Sequence, residues 1–339
     1  MHTLAPGWRQ IVGHDWAVRL LNNSILHDRV GHAYLIAGPE RIGKTKLGRT
    51  FAQALNCTAE DGSRPCGECR SCRLIEADKH PDVRLILPEV SERGVQSIKI
   101  DQVRRLQQDL SLSAYEARYK IAILKRFDTA NLNAANAFLK TLEEPPGNVI
   151  LILTATDSDT LLPTINSRCR TLNLRPIATE LIEETLMTRV GVKPDEANLL
   201  ASLADGRLGW AVCAHEDAAL LHERQSHLDV LHEALNGSLV VRFTLAESLS
   251  RKTDALPSLL RTWLSWWRDM TLLTFGRQTT SAISNIDQLQ YLHELAARLP
   301  QAGVLASLKQ TESALRQLSQ NANARLVLEN VLLVYPEYT

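Results

Sequence analysis

The chain has 339 residues, 45% of them hydrophobic and 22% charged, and its 38 basic and 38 acidic side chains leave no formal net charge. This length favours two or three domains. The charge balance excludes a protein that is basic overall, so contact with nucleic acid requires a local basic patch. The sequence shows no signal-peptide pattern and no apolar run near the ~20 residues that span a bilayer, which predicts a cytoplasmic protein without membrane contact.

A phosphate-binding loop follows the first predicted strand. Residues 38–45 read GPERIGKT, a complete G-x4-G-K-T motif between a strand and a helix. Backbone N–H groups of such a loop bind phosphate oxygens at the helix N-terminus, the lysine reaches the β- and γ-phosphates, and the threonine coordinates Mg²⁺. The alternative is a relic loop that binds no nucleotide. The candidate nucleotide-binding residues are Gly38, Gly43, Lys44 and Thr45.

Four of the six cysteines are clustered with the spacing C-x8-C-x2-C-x2-C. In a reducing cytosol, thiols this close together are better explained as metal ligands than as disulfides. The glycines and the proline between them allow the tight turns of a tetrahedral four-cysteine zinc site, and an iron–sulfur cluster or free thiols are the alternatives. The predicted ligands of a structural zinc are Cys57, Cys66, Cys69 and Cys72. The two other cysteines, Cys169 and Cys213, are predicted to be small buried hydrophobes.

Strands alternate with helices over the first half of the chain. Strands are predicted at about 34–37, 83–87, 121–124, 149–154 and 171–174. Helices are predicted at about 15–28, 43–56, 99–110 and 131–144. The strands are apolar without alternation, which is typical of a parallel sheet covered by helices on both faces. The sequence therefore predicts an α/β P-loop domain over residues 1–176, with the zinc module inserted at 57–72.

Strand signals cease after Pro176, and the remainder is predicted to be all-α. Residues 177–216 fit a three-helix unit and residues 217–339 a larger helical domain. Helix breaks are predicted at 191–194 and 205–206, and near 236–237, 254–257, 277–285 and 300–303. Trp263, Trp266 and Trp267 fall three and four residues apart on one helix face, which indicates a core cluster, with a subunit interface as the alternative.

The second half of an ATPase site is missing. The buried strand predicted at 121–124 is followed by Lys125-Arg126, where P-loop ATPases carry Asp-Glu. Those two acids hold Mg²⁺ and orient the attacking water, and two cations do neither. Asp128 can replace them only if the strand runs three residues further, and we expect it in the loop beyond. The sequence therefore predicts no ATP hydrolysis by this chain.

The segment AFLKTLEEPPGNVILILTAT, followed by Ser167-Arg168-Cys169, adds a specific signature. Together with the P-loop and the four-cysteine insertion, it resembles bacterial clamp-loader subunits of the AAA+ class. The specific motifs cover residues 1 to about 216, and the helical C-terminus matches by position. Thr156 matches the first sensor of the family. Motor subunits (gamma/tau) carry Asp-Glu at the positions of Lys125 and Arg126 and a sensing arginine at that of Gly209, so the resemblance is to the non-hydrolysing member of the family.

This resemblance implies an AAA+ domain, a three-helix lid and a helical collar that joins five subunits in an open ring. The implied partners are the gamma/tau and delta subunits, the sliding clamp and primed DNA, within a DNA polymerase III holoenzyme at the nucleoid. ATP or ADP is bound without hydrolysis. Arg168, flanked by Ser167 and Cys169, acts in trans as an arginine finger toward the γ-phosphate on a neighbouring motor subunit.

Seven basic residues of the first domain are expected to belong to an ordinary solvated face, with a surface that contacts DNA threaded through the ring as the alternative. They are Lys99, Arg104, Arg105, Arg118, Lys120, Lys125 and Arg126. Two other functions stay open from the sequence: an active gamma/tau-type ATPase in which Asp128 substitutes for the missing acids, and a zinc-stapled DNA-binding module.

Overall fold

The computed structural model describes residues 5–60, 62–90, 96–276, 282–320 and 322–336. The chain forms two compact units, which are Met1–Ala178 with Arg207–Gly209, and Thr179–Gly206 with Trp210–Thr339. The second unit contains most of the predicted three-helix unit together with the helical C-terminus. The division into three domains stays a prediction. No helix of the described ranges combines the length and apolar character that crossing a membrane requires.

A parallel sheet of five strands forms the centre of the first unit, in the order β2-β5-β6-β1-β7. A two-stranded antiparallel hairpin, β3-β4, follows β2. The strands are β1 (Ala33–Ala37), β2 (Val83–Ile86), β3 (Glu89–Val90), β4 (Gln96–Ser97), β5 (Lys120–Leu124), β6 (Val149–Ala155) and β7 (Arg170–Asn173). The parallel sheet confirms the predicted fold class, and its five strands lie within one residue of their predicted bounds.

Helices cover both faces of this sheet. They are α1 (Asp15–Leu26), α2 (Lys44–Asn56), α3 (Arg70–Glu76), α4 (Ile100–Ser111), α5 (Leu132–Glu143) and the short α6 (Pro163–Asn166). Successive side chains of a strand point to opposite faces: Tyr34 and Ile36 pack with the helices α1 and α2, whereas Leu35 packs with α4 and α5. The central strands β1, β5 and β6 are buried along their whole length, which explains their mostly apolar, unalternating sequence, whereas the edge strands β2 and β7 are partly exposed.

Residues at the ends of α5 account for its length. The side chain of Asn131 accepts a hydrogen bond from the N–H of Ala134 at 2.8 Å and so caps the first turn. Pro145 and Pro146 follow directly after the last turn and cannot continue the helix. The helix therefore ends at Glu143, beside the junction that carries Arg168.

The described part of the second unit is helical. Its elements are α7 (Thr179–Thr185), a π-helical turn (Leu186–Val190), α8 (Pro194–Leu203), α9 (Leu208–Glu216), α10 (Ala219–Asn236), α11 (Leu239–Ser250), α12 (Leu256–Thr274), α13 (Leu289–Ala296), α14 (Gln301–Ser319) and α15 (Ala324–Val334). The first two residues of α9 group with the first unit. The predicted breaks lie at or near these helix ends, except that residues 301–303 form the start of α14 and residues 256–257 the start of α12. The predicted break at 277–285 falls partly on 277–281, outside the described residues.

The three tryptophans of α12 are core residues, as predicted. Trp263, Trp266 and Trp267 are fully buried. The indole N–H of Trp263 donates to the carbonyl of His227 at 2.7 Å, and the ring of Trp267 contacts Tyr335 at a centroid distance of 5.0 Å. These aromatic contacts join α10, α12 and the segment after α15 into one core.

Arg242 ties the end of α15 to α10 and α11. Its side chain is buried, at 2% exposure, and its guanidinium donates hydrogen bonds to four backbone carbonyls. The acceptors are Ala234 at 2.9 Å, Leu332 at 3.0 Å, Tyr335 at 2.6 Å and Pro336 at 3.1 Å. Because helix ends leave carbonyls without intrahelical partners, one buried cation here satisfies the C-terminal ends of two helices.

Candidate functional site

The P-loop joins β1 to α2 at the carboxyl edge of the sheet, as the motif predicts. Two of its glycines have backbone angles that L-residues rarely adopt, with φ of 148° at Gly38 and 112° at Gly43. A Cβ at position 38 would also lie 2.6 Å from the carbonyl oxygen of Leu174. Lys44 and Thr45 form the first turn of α2. The structure therefore brings the four candidate nucleotide-binding residues together in the P-loop and the first turn of α2.

Lys44 is folded into this loop. The side chain is buried, and its ammonium donates hydrogen bonds to the carbonyl oxygens of Gly38 and, at 2.7 Å, of Pro39. A phosphate oxygen at the loop would have to replace these carbonyls as acceptors. Both acceptors are neutral, whereas a phosphate oxygen would add direct attraction between opposite charges.

Two basic residues directly follow β5 at the carboxyl edge of the sheet, where the P-loop also lies. Lys125 is exposed, and its backbone N–H donates to the carbonyl of Ile86 at 2.9 Å. Arg126 has a left-handed backbone with φ of 53°, and its N–H donates to the hydroxyl of Thr154 at 3.0 Å. Its guanidinium lies 3.8 Å from Glu40 of the P-loop. The positions where an ATPase needs carboxylates therefore carry cations, and one of them pairs with the loop itself.

Asp128 lies in a turn after β5, as predicted, and contacts the sensor-position threonine. One carboxylate oxygen, Oδ2, accepts hydrogen bonds from the hydroxyl of Thr156 at 2.6 Å and from its N–H at 3.1 Å. The other oxygen, Oδ1, is buried and has no hydrogen-bond partner among the described residues. A carboxylate is thus present near the edge, but it is engaged by the residue that matches the first sensor.

Gly209 lies against the P-loop within the first unit. A Cβ added at this position would lie 2.4 Å from the carbonyl oxygen of Arg41 and 3.2 Å from its carbonyl carbon. Both atoms are backbone, so a side chain here requires the loop to shift. The sensing arginine that the resemblance implies for motor subunits at this position would therefore not fit without a movement of the P-loop backbone.

Arg168 lies between α6 and β7 and is about one-third exposed. Its guanidinium pairs with the carboxylate of Glu143 at 2.7 Å, donates to the carbonyl of Thr164 at 2.7 Å, and lies 3.3 Å from the hydroxyl of Ser167. Cys169 is half-buried against the core, and burial raises the pKa of its thiol to about 12, which keeps it neutral. The sequence points to Arg168 but not to its partner Glu143. The only indication of Glu143 in the sequence is that it lies in the LEEPP segment, residues 142–146.

The four clustered cysteines come together as predicted. Their sulfur atoms all lie within 4.8 Å of one another, with 3.5 Å between Cys57 and Cys66 and 4.0 Å between Cys57 and Cys69. Metal–sulfur bonds of about 2.3 Å at tetrahedral angles place sulfurs about 3.8 Å apart. The donor set and its spacing therefore fit a tetrahedral metal such as Zn²⁺.

Backbone N–H groups point at these sulfurs and favour their thiolate form. The N–H of Cys66 lies 3.4 Å from Sγ of Cys57, that of Cys69 lies 3.3 Å from Sγ of Cys66, and that of Cys72 lies 3.4 Å from Sγ of Cys69. Burial alone raises the pKa of Cys69, but hydrogen bonds from the backbone of Cys72 and Thr58 outweigh it and lower the value to about 6. Burial raises the pKa of Cys57 and Cys72. A bound cation is what would hold all four as thiolates.

The seven basic residues considered for DNA contact do not lie on one face of the first unit. Lys120 is buried, and its ammonium donates to the backbone carbonyls of Asp109 and Leu112. Lys120 also begins β5, whereas Lys125 and Arg126 follow its other end, at the opposite edge of the sheet. Lys99 pairs with Glu89 at 3.2 Å. The run of basic residues in the sequence is thus divided between separate surfaces.

Known proteins match this chain along nearly its whole length. The family model described as DNA polymerase III, delta subunit, matches residues 13–178, and the model for the C terminal of the delta subunit matches residues 218–336. The DNA polymerase III subunit delta' of Bacillus subtilis (strain 168) is 30% identical over 335 residues, covering 94% of this chain and 95% of that protein. The delta' subunit of Pseudomonas aeruginosa is 33% identical over 312 residues, covering 89% of this chain and 90% of that protein.

More distant matches include the motor subunits. The DNA polymerase III subunit tau of Bacillus subtilis is 27% identical over 315 residues, which cover 86% of this chain and 55% of that subunit. Among solved structures, a gamma subunit-related protein from Thermotoga maritima covers 94% of this chain and 98% of its own, with 18% sequence identity and a TM-score of 0.45.

The parallel sheet with a P-loop after β1 and with Thr156 directly after β6 defines a P-loop protein of the AAA+ class. The sequence relatives are more specific than the fold. The chain belongs to the family of DNA polymerase III delta' subunits. The resemblance to clamp-loader subunits, and within them to delta' rather than to gamma/tau, is thereby confirmed.

Proposed function

We propose that this chain is a clamp-loader subunit that does not hydrolyse ATP and instead supplies Arg168 to the nucleotide site of a neighbouring motor subunit. The end of β5 carries the proposal, because Lys125 and Arg126 occupy the edge where hydrolysis requires carboxylates. Loss of a positioned base lowers a rate by about 10²–10⁴, and loss of the metal site lowers it further.

The contacts of Arg168 support a change of ion-pair partner, from Glu143 to a phosphate group on a neighbouring subunit. Arg168 and Glu143 are 34% and 47% exposed, and an ion pair between exposed side chains contributes at most about 1 kcal/mol. A phosphate accepts two parallel hydrogen bonds from a guanidinium and is a stronger partner. We therefore expect Arg168 to leave Glu143 for a γ-phosphate presented by a gamma/tau subunit, in a ring that also contains delta and opens the sliding clamp at primed DNA.

Two ligands belong to this proposal. ATP or ADP binds at the P-loop through Lys44 and the backbone N–H groups, with weak dependence on Mg²⁺, because Arg126 places positive charge where an acid recruits the metal. One Zn²⁺ binds the four thiolates. A zinc with four protein ligands has no open position for a water or a substrate, so its role is to hold the fold of the inserted module.

The experiment compares reconstituted loaders that differ in this subunit alone. Arg168→Ala is expected to lower the DNA-stimulated ATPase rate without changing assembly or zinc content, and Arg168→Lys to restore little, since an ammonium lacks the planar fork of arginine. Arg175→Ala, at another exposed arginine of the first unit, is the control. Unchanged turnover with Arg168→Ala would exclude the finger and leave a scaffold role.

An active ATPase is the second candidate, favoured by the buried Oδ1 of Asp128 with no partner among the described residues. Steady-state ATP turnover by the purified chain, measured with clamp and primed DNA, separates the two functions. The non-hydrolysing subunit shows none above background. Turnover that disappears with Asp128→Asn would establish the ATPase and refute the proposal.

A further inference from the structure

A cavity of about 350 Å³ opens at the amino edge of the sheet, away from the P-loop. It lies between the end of α2, the start of α3, the turn at His80 and the loop that precedes β5. The P-loop follows the carboxyl end of β1, whereas these segments precede the amino ends of β2 and β5. Parallel strands share the same two edges, so the cavity and the P-loop lie at opposite edges of the sheet.

The walls of the cavity are held in place by buried hydrogen bonds. The carboxylate of Asp82 accepts bonds from the N–H groups of Tyr115, Glu116 and Ala117 at 2.7, 2.8 and 2.9 Å. The side-chain amide of Asn56 donates to the carbonyl of Tyr119 at 2.9 Å and accepts from its N–H at 3.0 Å. The loop before β5 is therefore fixed to α2 and β2, and the cavity is formed without a ligand.

Two buried donors line the cavity. The hydroxyl oxygen of Ser71 is buried and has no hydrogen-bond partner among the described residues. His80 is 2% exposed, and its Nδ1 accepts the N–H of Asp82 at 3.1 Å. Burial lowers the pKa of His80 and keeps the ring neutral, so the ring proton is on Nε2. Nε2 lies 3.9 Å from Glu116, too far for a hydrogen bond.

The charged groups around these donors are mainly positive. Arg64, Arg70 and Arg118 line the cavity, against the single carboxylate of Glu116 among its lining residues. Arg70 pairs with Glu116, Arg64 donates through Nε to the carbonyl of Ala59, and Arg118 is exposed. The carboxylate of Asp82 lies behind the wall, where three N–H groups stabilise it, and its negative charge acts on His80. Neutral donors inside and arginines around them suit a ligand with several oxygen acceptors and negative charge.

We propose that this cavity binds a phosphate group of a polynucleotide backbone, through Ser71, His80 and Arg118. Recognition of one phosphate by hydroxyl, imidazole and guanidinium carries no base specificity. The site is independent of the arginine finger, because Arg168 and the P-loop lie at the other edge of the sheet.

The test uses the full chain and a fluorescently labelled single-stranded oligonucleotide, with anisotropy measured at several salt concentrations. Arg118→Glu is expected to weaken binding about tenfold at low salt and to reduce the slope of log K against log salt by about 1. Ser71→Ala is expected to weaken binding without changing that slope, since it removes no charge. Arg19→Glu, the same charge change on the exposed face of α1, is the control and is expected to match wild type.

The outcomes decide both the site and the source of the phosphate. Equal losses with Arg118→Glu and Arg19→Glu would refute the site, as would no change with either. Saturable binding of inorganic phosphate that Arg118→Glu abolishes, together with no oligonucleotide binding, would assign the cavity to free phosphate and overturn the polynucleotide. Zinc content and melting temperature equal to wild type show that each variant is folded. Arg118 and Arg19 are both exposed, so neither substitution disturbs the core.

Discussion

Replacing Asp82 with asparagine tests how the loop before β5 is attached. The Asp82 carboxylate is 2% exposed and accepts three backbone hydrogen bonds at 2.7–2.9 Å. Hydrogen bonds to a charged group contribute about 1.5–3 kcal/mol each. Asparagine keeps one acceptor oxygen but turns an NH₂ toward N–H donors. We expect Asp82→Asn to lose between one and two such bonds and to lower the free energy of unfolding of the first unit by about 2–4 kcal/mol.

The loss should depend on pH in a defined direction. Burial alone raises the pKa of Asp82, but the three N–H groups outweigh it, so the net shift lowers the pKa below its ordinary value. A lowered pKa gives stability that is fully present above the unfolded pKa of about 3.9 and is lost as pH falls through the folded pKa. The difference between wild type and Asp82→Asn should therefore be constant near neutral pH and decrease below about pH 4.

Urea unfolding followed by circular dichroism at pH 7 and at several acidic values measures this difference. A metal bound by the four cysteines would be lost in acid from both proteins alike, so the difference between them isolates Asp82. Asp159→Asn, which changes an exposed aspartate of the same unit, controls for the change in net charge. A difference that is the same at pH 7 and pH 3, or no larger than that of the control, would refute the assignment of a stabilising ionised carboxylate.

Three further outcomes follow from the geometry. Cys66→Ser removes one of four thiolate ligands and is expected to reduce zinc to well below one per chain and to lower the melting temperature of the first unit; full zinc by elemental analysis would contradict this. Glu143→Gln is expected to change the free energy of unfolding by less than about 1 kcal/mol, because its pair with Arg168 is exposed; a larger loss in urea titrations would show that the pair is structural. Arg242→Met leaves four buried carbonyls without their donor and is expected to destabilise the second unit by at least about 3 kcal/mol. Tryptophan fluorescence during denaturation reports it through Trp263, and an unchanged midpoint would refute it.

Local sequence patterns were sufficient to predict the sheet and the four-cysteine cluster. The central strands β1, β5 and β6 are short, mostly apolar runs between polar segments, and the four cysteines are close together in the sequence. The P-loop is likewise a contiguous motif whose geometry depends on Gly38 and Gly43. In all three cases the residues that determine the structure are neighbours in the chain, so the pattern can be recognised from the sequence alone.

Pairings between separate elements could not be predicted in this way. Glu143 ends α5 and Arg168 follows α6, and their 2.7 Å contact depends on how those two helices pack. The contact between Arg126 and Glu40 depends on strand order, which places β6 between β5 and β1. The distribution of the basic residues depends on the fold in the same way, since their order in the sequence does not show that Lys120 begins the strand that Lys125 follows.

The carbonyls bound by Arg242 have a consequence for folding during synthesis. Three of its four acceptors are 90 to 94 residues further along the chain. While the ribosome is still making α12 to α14, α10 and α11 already exist, but the buried position of Arg242 lacks most of the acceptors that would compensate its charge. The second unit therefore closes only after α15 has emerged, whereas the sheet of the first unit is complete by Asn173 and can fold long before. A chain that ends before Leu332 would contain every tryptophan of the core but would lack three of the four carbonyls that Arg242 binds.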